Sequence, residues 1–495
     1  MLAQHTNLNA AYNSSERESE HASTCQEDTR KSVLEMVMAW VESNDDHPIC
    51  WLQGPAGSGK STIAHTIAQQ CDEENMLAFS FFFSRRNLDR SDITKFFPTF
   101  AYQLAGFLPS IKQSMQDALA KDPAIPLRNL KDQFRKLIVR PVLSTTERIS
   151  TMIVVIDGLD EYGGNVPLKE LIRLLVDALP KLPFRLLFTS RPEAHIRDIF
   201  STPSIDSKIY RLALQDFSAH PDVYLYLRSR LSEIQRKRKL PESWPSDADL
   251  RNLAWRSEGL FIYVSTLVKF VDDEYGIPQR KLQDAMSAHR GLDSLFDQVL
   301  RSAQNYPHFK RVIGAFMFLR DHLDISALVQ LLQLEAVDIR LALRGCLSIL
   351  MVPDHDKGYI RGYHASLQDF LIDPDRAKDH FLDPVEHNMF IVDDCMKLIV
   401  ADLENNLKDG VALRYACQNW CHHFHLVLSN RKGIDYIKSH FKYKVEGFLE
   451  NSSQWLQNWM CNMQFHSKVE QACADLHFAF TCIIVSQLYL KWCQE

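Results

Sequence analysis

Three short stretches carry residue types whose spacing suits phosphate chemistry. In GPAGSGKS, at 54–61, Gly54, Gly57 and Gly59 allow the main chain to turn so that its N–H groups point inward at an oxyanion. Pro55, Ala56 and Ser58 complete the loop. Lys60 supplies an ammonium for the outer phosphates, and Ser61, followed by Thr62, offers a hydroxyl to Mg2+. Three of the chain's 17 glycines fall within residues 54–59, a concentration of the residue that tolerates such turns. In VVIDGLDEY, at 154–162, an apolar run ends in Asp157, Asp160 and Glu161. A carboxylate at the end of a neighbouring strand can hold Mg2+ through water, the place of Asp157. Glu161, supported by Asp160, is set to orient or deprotonate a water aimed at the outer phosphate. FRLLFTSRP, at 184–192, ends another apolar run in Arg191, whose planar guanidinium offers a two-pronged donor to phosphate.

These side chains need a scaffold that brings strand ends together. ICWL before the loop reads as a buried strand, and residues 61–70 after it as a helix whose N-terminus adds partial positive charge at the phosphate. From there to about 214 the pattern alternates: strands at MLAFSFFF, TMIVVI and FRLLFT, helices at 96–108, 127–139 and 168–179. Apolar runs without in-out alternation, separated by helices, predict a parallel sheet covered on both faces. Val33, Val37, Trp40 and Val41 recur at helical spacing, which predicts an amphipathic helix over 29–43. After 214 the strand signals fade and helices dominate. QRKRKLPESWPSD, at 235–247, reads as a loop, and its basic residues 236–239 as a solvated helix end in preference to a nuclear signal.

With 495 residues, 46% hydrophobic and 24% charged, the chain has the composition of a multidomain globular protein, and its net charge of -6 gives no general attraction to nucleic acid or anionic lipid. The polar first 23 residues lack the apolar core of a signal peptide, and 11 scattered cysteines read as reduced thiols, so a cytoplasmic protein is expected. LHFAFTCIIVSQLYLKW, at 476–492, is apolar but interrupted by His477, Ser486 and Gln487, and reads as a packed helix in preference to a membrane anchor.

WLQGPAGSGKST, VIDGLDEY and FTSRPE, in that order, resemble the NACHT class of signalling NTPases, in particular a large fungal group related to the nephrocystin-type N-terminal NTPase domain. HASTCQEDTRKSVLEMVMAW, FFFSRR, FPTFAYQLA, EGLFIYVSTLVKF, YHASLQDFLID and YACQNWCHHF also resemble segments of those proteins, so the resemblance runs from 21 to 459. It implies an α/β P-loop NTPase, a parallel sheet covered by helices, followed by a helical domain, a winged-helix domain and a C-terminal helical region. The expected boundaries are a disordered lead-in at 1–25, the NTPase domain at 26–214, helical at 215–290, winged-helix at 291–375 and helical at 376–495. The resemblance also implies an innate-immunity-like switch, closed with ADP and self-associating in the triphosphate state. ATP is the expected nucleotide with GTP possible, and Mg2+ the expected metal. His364 in YHASLQDF matches a histidine that in this family can touch the β-phosphate of bound ADP. The N-terminus is short for an effector domain and no sensor repeats follow, so the trigger and effector are expected to be other proteins.

Other functions fit less well. A DNA-reading helix needs net positive charge, whereas the expected second and third helices of the winged-helix domain, 325–334 and 335–349, balance Arg340 and Arg344 with Glu335 and Asp338. Cys417, Cys421 and His425 share one helical face, but with no second ligand pair nearby they read as core. A constitutive ATPase and a non-hydrolysing nucleotide-binding scaffold are the alternatives to the switch. For the former, no acceptor-substrate or pore-loop motif is apparent.

Overall fold

The computed structural model describes residues 2–429 apart from 20–23, 44–45, 86, 88, 147–148, 163, 275, 288–290, 365 and 406–409. The apolar segment at 476–492 lies outside the described residues. These form two compact units, the first comprising residues up to Asp272 with Leu282–Leu292, the second Asp273–Lys281 with the described residues from Asp293 onward. Most of the expected helical segment 215–290 thus belongs to the same unit as the strands.

The first unit is built on β1 (Ile49–Gln53), β2 (Leu77–Phe82), β3 (Met152–Asp157), β4 (Phe184–Ser190) and β5 (Ile209–Ala213), ordered β2-β3-β4-β1-β5 and parallel throughout. Strands β2, β3 and β4 are buried along their whole length, which explains why their apolar residues do not alternate with polar ones: both faces are covered, and inner polar residues such as Ser80 and Arg185 are hydrogen-bonded. One face packs Phe79, Phe81 and Phe83 against Phe96, Phe97 and Phe100, with the Phe79 and Phe100 rings stacked at 4.4 Å. Each such ring contributes roughly 1.5–3 kcal/mol by leaving water. The other face packs Leu52, Phe82, Ile153, Val155 and Leu187 under Ile63 and Ile67 of the helix Lys60–Glu73. No single apolar run announced β5: IYRLA is an outer strand, partly exposed, whose mixed pattern gives a weak signal.

Register aligns the strand ends. Gln53 pairs with Ser190, Ile156 with Phe188 and Phe82 with Asp157, so the ends of β1 to β4 lie along one edge of the sheet. Asp157 is not on the strand beside the glycine loop, because β4 stands between β3 and β1.

Two further differences from the sequence reading have local causes. Residues expected to be a disordered lead-in instead form the short helical turns Leu2–His5 and Leu8–Ala10 and the helix Ser15–Ser19. They pack beside β2 and the helix Phe96–Phe107: Ala10 is wholly buried, Asn7 N donates to Thr99 Oγ1 on that helix at 2.8 Å and Tyr12 N to Ser80 Oγ on β2 at 3.0 Å. The loop read over 235–247 begins later than expected, because its basic residues, read as a solvated helix end, form the last turn of the helix His220–Arg238, where cations complement the helix dipole and Lys237 pairs with Asp272 at 2.9 Å.

In the second unit, helices Phe309–Phe318, Ile325–Leu332 and Ala336–Leu343 precede a two-stranded antiparallel pair, β6 (Leu350–Met351) with β7 (Arg361–Gly362). The expected third helix is shorter than 335–349 and passes into a tight turn at Arg344–Cys346. Asp324 caps the middle helix by accepting from Ala327 N at 2.7 Å. Helices Pro384–Asn405 and Val411–Leu428 follow, and Cys417 and Cys421 are buried on the latter. No helix among the described residues is long and apolar enough to cross a membrane.

Candidate nucleotide site

The glycine loop joins β1 to the helix Lys60–Glu73. Gly57 and Gly59 hold φ values of +73° and +94°, a region in which any side chain is strained. A Cβ on Gly57 would also sit 2.0 Å from Ile262 Cγ2. The loop's shape is held from outside as well: Gly57 O accepts from Ile262 N at 3.2 Å, and Ser58 O from Arg30 Nη2 at 2.8 Å. Arg30 is 4% exposed, and its guanidinium lies 5.0 Å from the centre of the Phe261 ring. Ile262 and Arg30 are far apart in the chain, and neither was singled out from the sequence.

Lys60 stands at the helix start and donates to Gly54 O and Pro55 O, each at 2.9 Å. Those are bonds that a phosphate oxygen would replace. Burial pushes the ammonium below its usual range, while Asp160 and Asp157 act in the opposite direction.

Asp157 ends β3 and is 3% exposed. Burial pushes its carboxyl up, while a hydrogen bond from Thr189, the charge of Arg17, a hydrogen bond from Ser61 and the charge of Lys60 pull it down. Thr189 Oγ1 donates to Asp157 Oδ1 and accepts from Gly158 N at 3.1 Å, so a hydroxyl on β4 fixes the turn after β3. The signal for Thr189 was its place beside Ser190 and Arg191 at a strand end.

Asp160, 5% exposed, binds Arg191 twice: Oδ1 accepts from the backbone N at 2.9 Å and Oδ2 pairs with Nε at 3.1 Å. Arg191 is thus held on Asp160 at the end of β4, between the loop strand and the acid strand. Glu161 Oε2 accepts from Arg85 N at 3.1 Å, and Arg85 Nη2 donates to Asp160 O at 2.7 Å. Arg85 lies in FFFSRR just past β2, and its role was legible only once β2 was placed next to β3. His364 belongs to the second unit, where its Nδ1 accepts from Ser366 N at 3.0 Å and lies 2.8 Å from Ser366 Oγ.

The donors at Ser61 and Asp157 are hard oxygens, as Mg2+ requires. Among the described residues no group of three or more His, Cys, Asp or Glu would cage a metal. The oxygen set at Ser61 and Asp157 suits an ion that takes its remaining ligands from phosphate and water, and Mg2+ bound there would screen the phosphate charge.

A parallel sheet covered by helices, with a glycine-rich loop opening a helix and acids at a strand end, is the architecture of a P-loop NTPase. Residues 24–191 match the family described as Nephrocystin 3, N-terminal, and this stretch is a nephrocystin-type P-loop NTPase domain. Similar solved structures include a Signal Transduction ATPase with Numerous Domains that carries a tetratricopeptide repeat sensor, from Pyrococcus horikoshii. It is 13% identical with a TM-score of 0.45, and the match covers 94% of this chain and 58% of that one. The chain therefore spans less than two thirds of that protein. CDC6P from Pyrobaculum aerophilum is 14% identical over 70% of this chain and 92% of its own, with a TM-score of 0.33. The ORC1 protein of Aeropyrum pernix, solved in complex with DNA, is 15% identical over 71% and 90%, with a TM-score of 0.32. No curated protein matches the chain.

Proposed function

We propose that this protein is a nucleotide-dependent signalling switch of the NACHT type, binding ATP or GTP with Mg2+, hydrolysing it slowly and self-associating in the triphosphate state. The observation that carries the reading is the gathering of three groups at one sheet edge: the loop after β1, Arg191 after β4 and the acids after β3. In this reading residues 54–62 cradle the phosphates, Lys60 reaches the outer ones, and Ser61 with Asp157 holds the metal. Arg191 meets the outer phosphate from its seat on Asp160, and Glu161 directs the attacking water.

The three helices and hairpin of the second unit support reading it as a winged helix. DNA is not proposed as its ligand, because Arg340 is committed to Asp356 Oδ1 at 2.7 Å and Pro353 O at 3.1 Å, leaving little charge to displace counterions. The trigger and effector are proposed to be other proteins, and the location cytoplasmic. For His364 as a contact to the β-phosphate of ADP, the support is the resemblance of YHASLQDF. Faster ADP release from a His364→Leu variant would sustain that role, and unchanged release would remove it.

Size-exclusion chromatography tests the whole reading. The protein is expected as a small species with ADP and a larger assembly with a non-hydrolysable ATP analogue. Glu161→Gln should keep nucleotide binding and lower hydrolysis by roughly 100-fold, so that ordinary ATP sustains the larger species. No size change with either nucleotide together with rapid steady turnover would point instead to a constitutive ATPase.

A further inference from the structure

The N-terminal segment brings a cation to the metal side of this site. It wraps the outer edge of β2: Asn7 bonds Thr99 on one side, Tyr12 N bonds Ser80 on the strand, and the Tyr12 hydroxyl bonds Asp72 of the helix Lys60–Glu73 on the other side. One turn further on, Arg17 is only 8% exposed, and its guanidinium carbon lies 4.1 Å from the centre of the Phe82 ring. Phe82 pairs in register with Asp157. Side chains paired in register on neighbouring strands point to the same face, so Arg17 and the Asp157 carboxylate share the face covered by the helix Lys60–Glu73. On that helix His65, one turn past Ser61, also faces Phe82, with ring centres 6.4 Å apart. Arg17 therefore borders the space that Ser61 and Asp157 define.

We propose that Arg17 is a positioning residue of the metal site, a built-in counter-charge that holds the Asp157 carboxylate until a divalent cation arrives with the nucleotide. The proposal rests on the nucleotide and Mg2+ reading above. A carboxylate this deeply buried is costly without a partner charge, and Arg17 supplies one from outside the loop and the strand ends. A divalent cation entering beside Asp157 takes over that role and is repelled by the guanidinium. The repulsion is mutual: Arg17 raises the Mg2+ concentration needed, and Mg2+ weakens the hold of Arg17 on Phe82 and Asp157. Asn7 and Tyr12 anchor the segment before this point, so the loosening is confined to the turn carrying Arg17. Metal loading is thereby reported to the N-terminal segment.

The test uses the full chain. Binding of a fluorescent ADP is titrated with Mg2+ for the wild type, Arg17→Ala and Arg17→Lys. Arg17→Ala is expected to need roughly 5-fold less Mg2+ for half-saturation, with Arg17→Lys close to the wild type. Hydrogen exchange of the peptide covering Ser15–Ser19 should rise in the wild type when Mg2+ is added to the ADP complex, and should already be raised in Arg17→Ala. Unchanged Mg2+-free ADP affinity shows that the variant is folded. An unshifted or higher Mg2+ requirement overturns the proposal, as does weaker ADP binding without Mg2+, which would make Arg17 a phosphate ligand. A wild type that binds no nucleotide at any Mg2+ concentration overturns the functional reading and this one with it.

Discussion

Lys60→Ala is expected to weaken nucleotide binding by about 100-fold or more while leaving the protein folded. The loop's other phosphate donors are backbone N–H groups, and Lys60 is its only full positive charge. Removing one partner of a desolvated charge pair costs about 2–5 kcal/mol, and each 1.4 kcal/mol is about tenfold in affinity. The fold should survive because the ammonium bonds only two loop carbonyls, Gly54 O and Pro55 O, while Arg30 and Ile262 hold the loop from other directions. Calorimetric titration with ADP and Mg2+ checks this, and near-normal affinity in Lys60→Ala would show that the loop is not the phosphate site.

Asp160→Ala should have the largest effect on stability. Its carboxylate is almost fully buried and engages both the backbone N and the Nε of Arg191. Truncating it removes both the backbone and the guanidinium contact of Arg191 with Asp160 at the end of β4. Breaking a fully buried pair costs about 3–5 kcal/mol. Arg191 keeps 21% of its side chain exposed, so a loss of about 2–3 kcal/mol is expected, or roughly 5–10 °C in apparent Tm. Asp160→Asn should lose less, because its amide oxygen can still accept from Arg191 N. If both variants melt with the wild type, the pair contributes nothing measurable, and Arg191 is positioned without it.

These experiments separate two carboxylates that look equivalent in VIDGLDEY. Asp160 is committed to Arg191 and Glu161 to Arg85 N, so their roles divide by partner and not by residue type. Residue order suggested that Asp160 assists Glu161. The partners make Asp160 chiefly the residue that seats Arg191.

The parallel sheet was legible because strands buried on both faces carry apolar runs without in-out alternation, as ICWL in β1, MIVVI in β3 and LLF in β4 do. β5 escaped because an outer strand need not be, and the lead-in because short turns anchored by single hydrogen bonds leave no periodic signal. The phosphate loop was legible for a different reason: its chemistry is carried by consecutive residues, with glycines required at the positive φ of positions 57 and 59.

The sequence by itself determined the inventory of this site: a loop that turns its N–H groups inward, a lysine and a hydroxyl at a helix start, and acids and an arginine at the ends of buried runs. Each belongs to one short segment, so local chemistry suffices to place it. Tertiary structure decided the pairings. It inserted β4 between the loop and the acids, set Arg191 on Asp160, brought Arg85 to Glu161, locked the loop with Arg30 and Ile262, and laid Arg17 over Phe82 of β2. Those contacts join residues far apart in the chain, and strand order and register, which no local pattern encodes, create them.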